Sequence, residues 1–203
     1  MKKLNLTLIL TISASLFLLQ ACENKPKDSK GQADSANAAN DTTKRVKGDT
    51  STAGYPTNGD NKDDAKFAVE AANGGMAEVE LGALAQEKAS SPEVKKFGAM
   101  MVTDHSKAND ELVSIVKSKN ITLPATVSAD EQNLKAKLSK KSGADFDKAY
   151  VNDMIDDHKE DIKTFEAAAK NCKDPDIKAF AVKTLPTLKM HLDAIQKIHD
   201  SMK

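Results

Sequence analysis

Long apolar runs are nearly missing from this chain. After residues 4–19, no stretch approaches the ~18 apolar residues of a membrane-spanning helix. The remainder is expected to be soluble apart from any attached lipid. Cysteine is almost as scarce, with Cys22 and Cys172 the two thiols. If Cys22 is chemically consumed, Cys172 has no partner, which excludes an intramolecular disulfide. Its place between Asn171 and Lys173, at an expected helix end, points to packing rather than reactivity. Period-two alternation and clusters of β-branched residues are absent, which argues against a sheet. Charge of one sign is not in excess: the 30 basic residues fall to 28 once Lys2 and Lys3 are removed, against 30 acidic ones. These charges are interspersed, so no basic patch speaks for nucleic acid. Also missing are a glycine-rich phosphate loop, a nucleophile elbow and a His-Glu-x-x-His sequence, and nothing in the text supports a substrate or names an enzyme.

What is present begins with an address. Lys2 and Lys3 precede an apolar stretch from Leu4 to Leu19, closed by Leu19-Gln20-Ala21-Cys22. A basic start, an apolar segment and a small residue before the cut define a secretory signal peptide. Leu-Gln-Ala-Cys resembles a bacterial lipobox, which implies residues 1–21 as a lipoprotein signal and Cys22 as the lipidated mature N-terminus. Ordinary cleavage with an incidental Cys22 is the alternative. The implied location is the cell envelope, with the lipid in the outer membrane on its periplasmic or outer face. Residues 22–60 are rich in Lys, Asp, Asn, Ser, Thr and Gly, and only Val46 and Tyr55 are larger apolar groups. Such a segment is expected to be a disordered tether, because it cannot bury enough surface to offset its ordering entropy.

Residues 61–203 read as one all-α domain, rich in Ala, Leu, Lys, Glu and Met. The first helix is expected over 63–89, weakened or bent at Gly74-Gly75. Its buried stripe is expected to be Val69, Ala72, Met76, Val79 and Ala83. Ser91-Pro92-Glu93 starts a second helix reaching Lys119. Ser128-x-x-Glu131 is a capping box for a short helix ending near Gly143. A fourth spans 145–171, and Asp174-Pro175 starts the last, to His199, with a kink expected at Pro186. Its stripe is Leu185, Leu188, Leu192 and Ile195. Four long amphipathic helices and one short connector predict an antiparallel four-helix bundle.

One nine-residue pattern occurs twice: Phe97-x-x-x-Met101-x-x-Asp104-His105 and Tyr150-x-x-x-Met154-x-x-Asp157-His158. Aromatic, Met and His at i, i+4 and i+8 share one slowly drifting helical face. Two related helix pairs are therefore suggested. His191, beside Leu188, Leu192 and Ile195, adds a third histidine on an apolar stripe, whereas His199 should be solvated. Met76-x-x-x-Glu80 repeats the spacing, so Glu80 is expected at the level of the histidines. Glu80, His105, His158 and His191 would then supply one inward polar group per long helix. Imidazoles and a carboxylate suit one Zn, Fe or Cu ion, and bundle cores build such sites from facing helices. Met76, Met101 and Met154 are either soft ligands or packing. Asp104, Asp157 and Tyr150 are candidates for holding the imidazoles in place, or else surface charges and core packing. Glu70, Glu78 and Glu166 are expected to be solvated or interhelical charges. Lone core histidines also commonly satisfy hydrogen bonds alone, so a purely structural or interaction role stays open.

The run Gly75-Met76-Ala77-Glu78-Val79-Glu80-Leu81-Gly82, with Met101-x-x-Asp104-His105, Phe146-Asp147-x-x-Tyr150-x-x-x-Met154-x-x-x-His158 and Leu185-Pro186-Thr187-Leu188-x-x-His191-Leu192, resembles a known family. It is similar to the ferritin-like domain family of unknown function found in predicted bacterial outer-membrane and periplasmic proteins. The resemblance covers about residues 63–202 and implies a four-helix fold and an envelope location, with no assigned activity. Ferritin-type di-iron proteins carry Glu-x-x-His on two helices. Val102, Ile155 and Leu188 stand three before the histidines, so a di-iron centre is not expected and a single ion is. The one partner implied is the membrane, through the lipid.

Overall fold

The computed structural model describes residues 28–42 and 61–202. The signal segment, Cys22 and residues 43–60 of the expected tether lie outside the described residues. Among the described residues the chain is all-helical: α1 (Ser29–Thr42), α2 (Asn61–Lys88), α3 (Pro92–Val116), α4 (Ala129–Ser139), α5 (Gly143–Asn171) and α6 (Pro175–Ser201). No described helix is long and apolar enough to cross a membrane.

Local chemistry sets the helix ends. Ser91 Oγ accepts from the Val94 amide at 3.3 Å, with Pro92 in the first turn. Ser128 Oγ accepts from the Glu131 amide at 3.4 Å. Asp174 Oδ1 accepts from the Asp176 and Ile177 amides at 2.9 and 3.0 Å. Each cap satisfies amides that have no partner inside their own helix. α6 runs through Pro186 as one helix, and α2 runs through Gly74-Gly75 as one helix.

The expectation of a disordered tether fails over residues 28–42. That stretch is α1, docked on α2 and on the α3–α4 connection. Asp28 Oδ1 caps the Gly31 amide at 2.8 Å, and its other oxygen accepts from Ala129 N at 3.2 Å. Ser29 Oγ accepts from Ala125 N at 2.8 Å, and the Asn37 amide exchanges two bonds with the Thr122 backbone at 2.7 and 2.9 Å. Small Ala33 is buried in the contact. Side-chain bonds to a loop backbone hold this helix, and a composition argument does not register them.

α2 lies against α3 and α5, and α6 lies against the same two helices, so the four long helices enclose one interior. Two apolar clusters fill it. One contains Phe67, Leu112, Phe165, Phe180 and Leu188, and the other Leu81, Phe97, Met101, Tyr150 and Met154. Cys172 is buried in the first cluster and its thiol is pushed up to about 12 by burial, as suits a packing role.

The internal repeat pairs different elements from those expected. Asp147 of α5 is 3 % exposed and accepts from Ser90 N at 3.0 Å, Ser91 N at 2.9 Å and the Ser90 hydroxyl, all in the α2–α3 turn. Asp64 of α2 does the same for the α5–α6 turn, accepting from Lys173 N at 3.1 Å and Asp174 N at 2.7 Å. Asp64 and Asp147 are 83 positions apart, as are Pro92 and Pro175, and Phe97 and Phe180. The matching units are therefore the hairpins α2–α3 and α5–α6. The nine-residue likeness between α3 and α5 crosses them.

Gly82 and Gly98 bring α2 and α3 into backbone contact. A Cβ on Gly98 would lie 2.6 Å from the Gly82 carbonyl oxygen and 2.9 Å from Ala85 Cβ. At Gly74 a Cβ would meet only the Asp161 carboxylate, at 3.7 and 4.0 Å. Alanine gains roughly 1 kcal/mol over glycine in a helix, while overpacking costs roughly 1–3 kcal/mol. Gly98→Ala should thus destabilise by about 1 kcal/mol net and Gly74→Ala should stabilise slightly. Urea unfolding of both variants checks the opposite signs.

A buried histidine and carboxylate cluster

Between the two apolar clusters each long helix contributes a polar side chain: Glu78 from α2, His105 from α3, His158 from α5 and His191 from α6. The four are at most 7 % exposed. Ring centroids stand 6.0 Å apart for His105–His158, 5.3 Å for His105–His191 and 5.4 Å for His158–His191. One ring nitrogen from each histidine lies within 4.8 Å of the other two. Phe97 packs its ring against both His158 and His191.

Glu80, expected at this level, lies elsewhere. It is 39 % exposed and accepts from Lys135 Nζ of α4 at 2.9 Å. Glu78, expected to be solvated or interhelical, takes the inward place. The stripe on α2 follows Ala68, Ala72, Gly75, Leu81 and Ala85, whereas Ala83 is exposed. Residue 78 lies on that line and residue 80 is about 200° further round. Small residues at 68, 72, 75, 82 and 85 are the signal that would have located it. Glu166 pairs with Lys189 at 2.7 Å and Glu70 approaches Lys66 at 3.9 Å, both on the surface.

Two of the three imidazoles have an outer hydrogen-bond partner. His158 Nδ1–H donates to the Met154 carbonyl at 2.9 Å, which leaves the lone pair on Nε2. His191 Nε2–H donates to Asp104 Oδ2 at 2.9 Å, which leaves the lone pair on Nδ1. His105 Nδ1 stands 2.6 Å from Glu78 Oε2, and His158 Nε2 stands 3.3 Å from Glu78 Oε1, but neither contact has hydrogen-bond alignment. His105 Nε2, His158 Nε2, His191 Nδ1, both Glu78 oxygens and the Tyr150 hydroxyl are buried with no hydrogen-bond partner. Leaving one such group unpaired costs about 1–3 kcal/mol.

Burial decides the charge states. It pushes His105 down to about 4 and His158 down to about 3, and it lowers His191 despite the Asp104 bond. Burial raises Glu78 well above the usual carboxylate range, and raises Asp157 and Asp161 likewise, with the Glu78 charge adding to both. Tyr150 is raised by burial and by Glu78 and Asp157. At neutral pH the imidazoles are neutral, the form that donates a lone pair to a metal.

Asp157 is brought to Glu78 and His158, one ligand atom of each lying within 4.8 Å of the others. Asp104 Oδ2 accepts from His191 Nε2. Met101 and Met154 are fully buried in the apolar cluster with Phe97 and Tyr150, while Met76 is partly exposed. His199 is 39 % exposed beside Asp200. A cleft of about 140 Å³ between α3 and α6 is lined by Asp104, His105, Ala108, Thr187, Leu188 and His191, which gives solvent a way to the outer edge of the cluster.

An all-helical domain with a buried three-histidine, carboxylate-rich centre is the class that fold and site define. Residues 49–198 match the family described as a domain of unknown function, DUF4142, and the chain belongs to it. The fold is similar to the crystal structure of a DUF305 protein from Streptomyces coelicolor, named as secreted by inference. The two share 11 % identity at a TM-score of 0.59, over 69 % of this chain and 93 % of that one. Among curated proteins none matches this chain.

Proposed function

We propose that this is a lipid-anchored cell-envelope protein whose antiparallel four-helix, ferritin-like bundle holds one transition-metal ion on His105, His158 and His191. Glu78 supplies the adjacent carboxylate. One observation carries the reading: six buried polar atoms without hydrogen-bond partners come from one group of side chains, and three are imidazole nitrogens. Such a concentration of unpaired groups calls for a bound species. The outer partners of His158 and His191 fix the ring that faces inward, as metal-binding histidines require. Neutral imidazoles with a carboxylate suit Zn, Cu or Fe(II). The anchor reading rests on Lys2, Lys3, the apolar run and Cys22, and a DUF305 relative in fold named as secreted is consistent with it.

The competing reading is a structural or interaction module whose histidines serve only core hydrogen bonds. Its support is that His158 and His191 each make one such bond. It leaves their other nitrogens unexplained.

Calorimetric titration of the full-length chain, stripped with chelator, should show uptake of one Zn²⁺. At a thousandfold excess over Kd the ion adds about 4 kcal/mol, which raises Tm by about 10 °C. His158→Ala with His191→Ala should weaken uptake at least ~100-fold, beyond the ~10–100-fold loss typical of an outer-partner change. Co²⁺ in the wild type should give the visible bands of a nitrogen-rich site. A folded wild type that takes no ion, or a helical double variant with unchanged uptake, overturns the reading.

A further inference from the structure

Glu78 belongs to a second group besides the imidazoles. One of its oxygens, one oxygen of Asp157 and one nitrogen of His158 lie within 4.8 Å of one another. Asp161 follows Asp157 by four residues, so both stand on one face of α5. A Cβ on Gly74 would lie 3.7 Å from Asp161 Oδ1, so Asp161 rests against α2 where glycine leaves the backbone bare. Ionised together, they would repel at i, i+4 unless something compensated their charges. No lysine among the described residues does so. Lys135 is taken by Glu80, Lys159 by Asp156 and Lys163 by Glu160. Glu131 of α4, half-buried, adds its charge to the same region.

The independent sign of a ligand is Glu78 itself. It is 1 % exposed, both oxygens lack a hydrogen-bond partner, and Oε2 is turned to His105 while Oε1 is turned to His158. We propose a second cation position, built from oxygen ligands, on Glu78 and Asp157 with Asp161 beside them, so that Glu78 lies between two ions. It rests on the preceding reading in one respect, the commitment of His158. Nε2 has one lone pair and serves one ion, so with His158 given to the imidazole position the second is all carboxylate. The two differ in kind. Three imidazoles select a borderline ion such as Zn²⁺, and carboxylates select a hard one such as Mn²⁺. The ionised carboxylates would compensate the ion's charge and one another's repulsion.

The test loads full-length protein with one equivalent of Zn²⁺ and titrates it with Mn²⁺, followed by calorimetry and electron paramagnetic resonance of free Mn²⁺. One Mn²⁺ should bind. Asp157→Asn with Asp161→Asn, near-isosteric and checked for retained helicity, should weaken Mn²⁺ at least tenfold yet still take one Zn²⁺. His105→Ala with His191→Ala should lose the Zn²⁺ and keep the Mn²⁺. Zn²⁺-loaded wild type that takes no Mn²⁺, or Mn²⁺ uptake unchanged in the double asparagine variant, overturns the second position and leaves the histidine reading intact. If the asparagine pair removes all uptake while the histidine pair removes none, the histidine reading falls and the carboxylate position stands.

Discussion

Asp147→Ala is expected to cost about 3 kcal/mol and lower Tm by about 6–12 °C, since 1 kcal/mol shifts a domain of 150–250 residues by about 2–4 °C. The carboxylate is buried and receives two amides and a hydroxyl from the α2–α3 turn. Hydrogen bonds to a charged group contribute about 1.5–3 kcal/mol each. Because the acceptors are shared, the total falls well below their sum. Asp147→Asn keeps one acceptor oxygen and should recover about half the loss. Thermal unfolding followed by circular dichroism measures both. Equal stability of Asp147→Ala and wild type would mean that water replaces the carboxylate without cost.

In the ion-free protein the buried histidines should make acidification destabilising. In the unfolded chain a histidine takes its proton near pH 6.5, whereas folded His105 and His158 do so at about 4 and about 3. Between these values the unfolded state binds more protons, so stability falls as pH drops from 6.5 toward 4. The slope is about 1.4 kcal/mol per pH unit for each histidine. The raised Glu78, Asp157 and Asp161 act in the opposite sense. Folded, they keep protons that the unfolded chain has released, so their contribution is present at low pH and is lost as pH rises through their folded values. Where the two windows overlap the effects offset each other, so the ion-free profile is the difference between them. Zn²⁺ should straighten the alkaline side, because coordination requires the carboxylate ionised. Urea midpoints from pH 4 to 9, with chelator and with Zn²⁺, provide the check, alongside His105→Ala with His158→Ala; an ion-free acid limb of equal slope in that variant and in the wild type would contradict the burial of the two histidines.

Much of the helical layout could be read from short-range chemistry. Ser91-Pro92, Ser128 with Glu131, and Asp174-Pro175 are caps whose meaning is complete within four residues, and the fold uses each as a cap. The three histidines were legible for a similar reason, since each is a polar residue interrupting an apolar stripe. Glu78 was not. The middle of its helix carries acids at 70, 78 and 80, and which of these turns inward depends on the line of small residues that α3 and α5 pack against. Helix α1 was hidden because its partners, Ala125, Thr122 and Ala129, are about ninety residues away in the chain. The hairpin repeat was masked by the longer nine-residue likeness between α3 and α5. The shared features that reveal it are single residues: an acid, a proline and an aromatic at a constant offset.

The offset of 83 also says how lopsided the centre is. Glu78 has Asp161 as its counterpart, so the offset matches acid with acid. The histidines have none: His105 answers to Leu188, His191 to Ala108 and His158 to Gly75. A protein assembled from two copies of the first hairpin would keep the paired acids and own two imidazoles on opposite flanks. Dissimilar halves are what gather three nitrogens on a single side.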